Sequence, residues 1–166
     1  MADIVIRRAT PADADAVAVI YNQGIEDRIA TLETELRSAE ERRQWMAARD
    51  ERHPVIVAER AGAVVGWGSL NPFNPRRAYD HVVDLSLYVE RAWRGHGVGR
   101  RLLADLIDVA RELGYHKMVL AAFPFNAAGM ALYERMGFTT VGVYREQGLL
   151  DGKWVDVIVM ETLLSP

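Results

Sequence analysis

The stretch of this chain best suited to chemistry is Arg94-Gly95-His96-Gly97-Val98-Gly99. Three glycines at alternate positions free the backbone to bend, so successive N–H groups can turn toward one anion. A strand pattern ends just before it, at Leu87-Tyr88-Val89, and a long amphipathic helix pattern follows. The positive end of that helix dipole falls at the same point. Strand, glycine turn and helix N-terminus together make a phosphate cradle. Upstream, Asp84 stands inside an otherwise apolar strand pattern, where a carboxylate is costly to bury without a partner or a task.

Two familiar phosphate binders fit poorly. A dinucleotide fingerprint needs G-x-G-x-x-G in an early βαβ unit, with an acid about 20 residues on. Here the third glycine comes one residue early, the turn lies past mid-chain, and Val119-Leu120 offers no acid. A nucleotide P-loop needs Gly-Lys-Ser/Thr, whereas Arg100-Arg101 follows. A tight strand-to-helix turn without a ligand is the bland alternative.

The elements that must position these residues follow from pattern. Ile4–Arg7 reads as a strand, and Thr10-Pro11 caps a helix that carries Ala16, Val17, Ile20 and Tyr21 at helical spacing. Ser38 with Glu41 forms a capping box for a second helix running to about Asp50. Pro54–Glu59 and Ala63–Leu70 flank Arg60-Ala61-Gly62 as a hairpin, and Asn71–Pro75 reads as a loop because of its two prolines. His81–Val89 is the next strand, Arg100–Leu113 a helix ending at Gly114, and Lys117–Ala122 a short buried strand. Asn126–Met136 is a helix closed by Gly137, and Phe138–Tyr144 pairs with Trp154–Leu163 around Asp151-Gly152. This order predicts one domain, residues 1–166, of α+β (mixed α/β) class. Its mostly antiparallel sheet of about seven strands carries helices on both faces.

Composition narrows the class. The chain has 166 residues, half of them hydrophobic, and a net charge of −3, which argues against nucleic-acid binding. It contains no cysteine, which removes thiolate chemistry. The opening Met1–Arg7 has no apolar signal core, and no apolar run reaches membrane-spanning length, so a soluble cytoplasmic protein is expected. Histidines 53, 81, 96 and 116 lack metal-pair spacing, and no metal is expected.

Arg94, Gly97 and Gly99 fill every specified position of Gln/Arg-x-x-Gly-x-Gly/Ala, so the turn resembles the pyrophosphate loop of the GNAT superfamily of N-acetyltransferases. The segment Asn126–Phe138 is similar to that family's Asn-x-x-Ala/Ser…Leu-Tyr-x-x-x-Gly-Phe signature, with Gly129 at the position usually held by Ala or Ser. Ile20-Tyr21-Asn22, Ala30–Thr34, Asp84–Val89 and Gly148–Asp156 resemble the phosphinothricin-type branch. His116-Lys117, Phe123–Asn126 and Tyr144–Gly148 resemble its arsinothricin subgroup. The departures are Asp84, where the branch usually carries glutamate, and Asp80, where an arginine is common.

The resemblance implies a homodimeric enzyme that moves the acetyl group of acetyl-CoA to the amine of a glutamate-like small molecule such as phosphinothricin, arsinothricin or methionine sulfoximine. It implies that the main chain of Leu87, Tyr88 and Val89 holds the acetyl carbonyl and pantetheine arm. Arg94, Gly95, His96, Gly97, Val98, Gly99 and Arg100 would cradle the pyrophosphate. Strand alternation puts Val82, Asp84, Ser86 and Tyr88 on one face, and Asp84 is the candidate general base, acting through water. Tyr133 lies two helical turns beyond Asn126, which places a proton-donating hydroxyl near the coenzyme sulfur while Asn126 holds a pantetheine amide. Arg76, Arg77 and Tyr79 precede the catalytic strand, and the arginines suit a substrate anion. The alternatives are a protein N-terminal or lysine acetyltransferase and a non-catalytic acyl-CoA-binding module.

Overall fold

A computed structural model describes residues 3–164, so Met1 and Ala2 of the opening stretch lie outside the described residues. The elements are β1 (Ile4–Arg8), α1 (Ala14–Asp27), α2 (Ala39–Ala47), β2 (Val55–Arg60), β3 (Ala63–Pro72), β4 (Val82–Val89), α3 (Val98–Glu112), β5 (Lys117–Ala122), α4 (Ala127–Arg135), β6 (Thr139–Leu150) and β7 (Lys153–Leu163). The seven strands form one sheet in the order β1-β2-β3-β4-β5-β7-β6. Only β4 and β5 run parallel.

Helices cover both faces, as the pattern predicts. On one face Val17 and Ile20 of α1 close over Val55, Val57, Trp67 and Tyr88, with Trp45 and Met46 of α2 packed against them. On the other, Leu102, Leu103, Leu106 and Ala110 of α3 are fully buried against Ile56, Val65, Val83 and Leu85. Gly66 and Gly68 set how close α3 comes. A Cβ at Gly66 would lie 2.9 Å from Leu102 Cδ1, and one at Gly68 would lie 2.8 Å from Leu106 Cδ1.

Most boundaries fall where caps and breakers put them. Ser38 Oγ accepts the Glu41 N–H at 3.1 Å to start α2, and Gly114 and Gly137 turn left-handed after α3 and α4. Four differences stand out. A 3₁₀ turn, Pro11–Asp13, leads into α1. Helix α2 stops at Ala47, short of Asp50, and α3 starts at Val98, inside the glycine turn. Strand β3 runs through Asn71 and Pro72, which the prolines had assigned to a loop. Leu70 N–H donates to Pro54 O on the β2 side, and Pro72 shares that side where β2 has already ended. The missing proline donor therefore costs no ladder bond.

The parallel β4–β5 ladder pairs only Val82 with Lys117, Val83 with Met118 and Asp84 with Val119. Beyond Asp84 the two strands part. The Leu85–Val89 segment stays paired with β3 on its other side, from Leu70↔Leu85 to Gly66↔Val89. That divergence opens the sheet where β4 runs toward the glycine turn.

Candidate active site

The glycine turn is built by backbone conformation. Gly95 and Gly97 have φ of +80° and +83°, and Gly97 is the N-cap of α3. A Cβ at either would meet nothing within 4 Å, so the open side of each faces space rather than packed protein. Gly99 differs from the expectation of three bending glycines. It lies within the first turn of α3, where a Cβ would come 3.3 Å from Leu132 Cδ2, so its role is close packing against α4.

A cavity of about 660 Å³ lies in front of this turn, lined by Leu87, Tyr88, Val89, Arg94, Gly95, Gly97, Gly99, Arg100, Asn126 and Tyr133 among others. The side chains of two expected members point elsewhere. Val98 is buried in the α3 core, and His96 is exposed, its Nδ1 3.1 Å from Arg94 O and its ring edge-on to Trp93. Arg94 reaches the cavity, but its charge is already answered. Its Nη1 lies 2.6 Å from Asp27 Oδ2 and its Nε donates to Val89 O at 3.4 Å. Asp27 also receives Arg91 through paired bonds of 2.9 Å, and these contacts hold the Asp27 carboxyl below the usual carboxylate range. Arg94 therefore ties the turn to the end of α1. Arg100 and Arg135 also line this cavity, are exposed and have no ion-pair partner among the described residues, and Arg100 is the one that stands in the first turn of α3 beside the glycines.

A second, smaller cavity of about 210 Å³ is lined by Ala30, Thr31, Asp84, Leu85, Ser86, Phe123 and others. Ala30, Leu87, Tyr88, Asn126 and Tyr133 line both cavities, so these residues stand at their junction. Asp84 sits across from Asn71 of β3, whose Nδ2 donates to Asp84 Oδ2 at 3.1 Å and to Ser86 Oγ at 3.0 Å. Burial pushes the Asp84 carboxyl up to about 6, against the opposing pull of that bond and of the Leu85 backbone N–H. A carboxylate in that range is ionised at neutral pH and accepts a proton readily.

Tyr133 is buried on α4, edge-on to Phe138 at 6.0 Å between ring centroids. Burial, with the Asp84 charge in second place, pushes its hydroxyl up to about 12, which keeps it protonated. Asn126 caps α4, its Oδ1 accepting the Gly129 N–H at 3.0 Å. A Cβ at Gly129 would fall 2.5 Å from Asn126 Nδ2, so glycine there lets the cap fold over.

Arg76, Arg77 and Tyr79 line neither cavity. They lie on an exposed turn before β4, where Arg76 N–H donates to Asn74 Oδ1 and Tyr79 meets Phe73 edge-on. The site also contains residues that sequence patterning missed. Asn71 falls in a stretch that its prolines assign to a loop, whereas Ala30, Thr31 and Phe123 lie in stretches marked only by their resemblance to the family branch, with no role attached to them. Asn71 acquires its role only through the strand register that sets it opposite Asp84.

Residues 21–138 match the acetyltransferase (GNAT) family. The chain is 34% identical to the L-methionine sulfoximine/L-methionine sulfone acetyltransferase of Salmonella typhimurium, over 96% of this chain and 94% of that one. It is similar in structure to the ribosomal-protein-alanine N-acetyltransferase from Brucella melitensis, with a TM-score of 0.92 and 40% identity covering 96% of this chain and 99% of that one. A phosphinothricin acetyltransferase from Sinorhizobium meliloti in complex with acetyl-CoA gives a TM-score of 0.92 at 28% identity, covering 98% and 89% respectively.

Proposed function

The chain belongs to the acetyltransferase (GNAT) family, and from that premise we propose that it transfers the acetyl group of acetyl-CoA to the primary amine of a free amino-acid analogue. The observation that carries this reading is the junction of two cavities at Tyr133, with a glycine turn at the outer end of one and Asp84 in the other. The larger cavity suits a long pyrophosphate-bearing coenzyme, because Gly95 and Gly97 open their backbone toward space and Arg100 is free beside them. The smaller cavity suits a compact substrate.

Bound in the larger cavity, acetyl-CoA supplies the activated acetyl thioester. Asp84 takes a proton from the incoming ammonium through water, so that the neutral amine nitrogen forms the new bond to the acetyl carbon as the carbon–sulfur bond breaks. Tyr133 holds its proton at the junction and gives it to the departing sulfur, and the second proton that the nitrogen sheds on becoming an amide restores the Tyr133 hydroxyl. Leu87 and Val89 present main-chain groups on the side of β4 where β5 has parted. Asn126 donates from its amide to the coenzyme arm.

For the substrate class we favour glutamate-like analogues, phosphinothricin, arsinothricin or methionine sulfoximine, on the strength of the phosphinothricin and methionine sulfoximine relatives. A second reading, acetylation of a protein N-terminus, has its own support in the likeness to the ribosomal-protein-alanine enzyme. A thiol-release assay separates them. Turnover of free analogues with peptides inert supports the first, and turnover of peptides alone moves the assignment to the second. Binding of acetyl-CoA with no turnover of any amine would leave a non-catalytic acyl-CoA module.

The same proposal takes residues 1–166 as one catalytic domain working in the cytoplasm as a homodimer. No helix among the described residues is long and apolar enough to cross a membrane. Strand β6 is the sheet edge and is exposed along most of its length, including Val141, Val143 and Tyr144. A long exposed edge strand carrying such apolar side chains favours a covering partner. Light scattering that gives a monomer at micromolar concentration would remove the dimer from the proposal.

A further inference from the structure

Behind Asp84 runs a chain of polar contacts that ends on Arg49, just past α2. Asn71 is its central link. Its Oδ1 accepts from Arg49 Nη2 at 2.8 Å and from Ser69 Oγ at 2.9 Å, while its Nδ2 donates to Asp84 and Ser86. Arg49 is itself fixed. Its Nε donates to His53 O at 2.9 Å, its Nη2 also donates to Leu70 O, and its guanidinium lies 4.4 Å over the Trp45 ring. It has no carboxylate ion pair among the described residues, and burial works against its charge.

A guanidinium has donors only. An amide facing Arg49 must therefore turn its oxygen toward it, which leaves the amide N–H groups pointing at Asp84. Without that constraint the amide can rotate and offer its oxygen to the carboxylate, a repulsive contact in a poorly solvated site. We propose that Arg49 is a positioning residue for acetyl transfer, fixing the Asn71 amide so that it donates to Asp84. The proposal rests on the reading of Asp84 as the base.

The surroundings of Asp84 leave few other groups to do this. On its own strand Tyr88 lies on the same face, from α4 comes Tyr133, and from β5 its register partner is Val119. The other arginine stacked on Trp45, Arg42 of α2, also lies over Tyr21 at 4.6 Å and acts electrostatically on Tyr88. Arg49 is the cation joined to Asp84 through a single side chain.

The test is the pH dependence of kcat/KM with the best substrate found in the thiol-release assay, alongside coenzyme affinity and circular dichroism as checks of folding. Arg49→Met should move the acid limb upward by roughly half a unit or more, because the ionised carboxylate loses its donor. The loss should be several-fold near pH 6 and small above pH 8. Arg49→Lys keeps one donor and guards against a folding failure; it should move the limb less, in the same direction. In an Asn71→Leu background, Arg49→Met should add no further shift, since the link is already cut. If Asp84→Asn abolishes the acid limb while neither Arg49 variant moves it, the positioning role is wrong and the base assignment stands. If Asp84→Asn leaves the limb in place, both fall.

Discussion

The two cavities meet at Tyr133 but are made in different ways. The glycine end of the larger cavity, the proposed coenzyme side, is a local construction, in which the free end of one strand, a glycine turn and a helix N-terminus follow one another in the chain. Its cations are divided, Arg94 being paired with Asp27 and Arg100 and Arg135 left open. The smaller cavity, the proposed substrate side, is assembled from distant pieces. Asp84, Asn71, Arg49 and Tyr133 come from β4, β3, the end of α2 and α4, and their groups are partly or wholly removed from water. Binding a phosphate asks for backbone donors that any sequence with the right glycines can offer. Tuning a proton acceptor asks for a low-dielectric pocket, which only packing makes.

The sharpest way to separate the halves is Asp84→Asn. Turnover should fall roughly 10²-fold with coenzyme affinity nearly unchanged, and Asp84→Glu should recover much of it. The same change should raise thermal stability at pH 7. An acid whose folded pKa lies near 6, above its unfolded value, destabilises the fold as pH rises between the two, so removing the charge returns about 1–3 kcal/mol. Loss of activity together with a lower melting temperature would break the contrast, making Asp84 a structural residue.

Gly97→Val tests the other half. A branched side chain at φ +83° both strains the turn and fills the open cradle, so coenzyme affinity by calorimetry should weaken tenfold or more. Unchanged affinity in a folded variant would remove the turn from the coenzyme site.

At the junction, Tyr133→Phe should lower kcat by roughly tenfold while leaving both binding constants close to wild type. An unchanged kcat would mean that the ring only packs the site and the hydroxyl is idle, and an equal loss of coenzyme affinity would mean that the hydroxyl binds the coenzyme instead of donating a proton. The smallest effect is expected at the exposed loop. Arg76→Ala and Arg77→Ala lie outside both cavity linings, and each should change KM by less than about threefold; a rise near tenfold, about 1.4 kcal/mol, would restore them as substrate anchors.

The unequal legibility of the two halves has the same origin. Helix caps at Ser38 and Asn126, the glycine stops at 114 and 137, and the turn at 94–99 are short-range devices, readable because their partners lie within a few residues. Asn71 was unreadable for the opposite reason. Its neighbours Pro72 and Pro75 argue for a loop, and only the ending of β2 permits Pro72 to close a strand. Arg49 looks like one more surface arginine until Trp45 and Asn71 are beside it.

By itself the sequence determined the succession of strands and helices, a mostly antiparallel sheet with helices on both faces, the phosphate-suited turn and the presence of a lone acid in an apolar strand. Periodicity, capping and backbone freedom depend on local spacing, and local spacing is what a sequence displays. The tertiary structure alone decided that β5 leaves β4 at Asp84, that Asp27 claims Arg94, and that Asn71 and Arg49 stand behind the carboxylate. Those outcomes depend on register between strands far apart in the chain and on which charges burial leaves without water, and both arise only when the chain closes on itself.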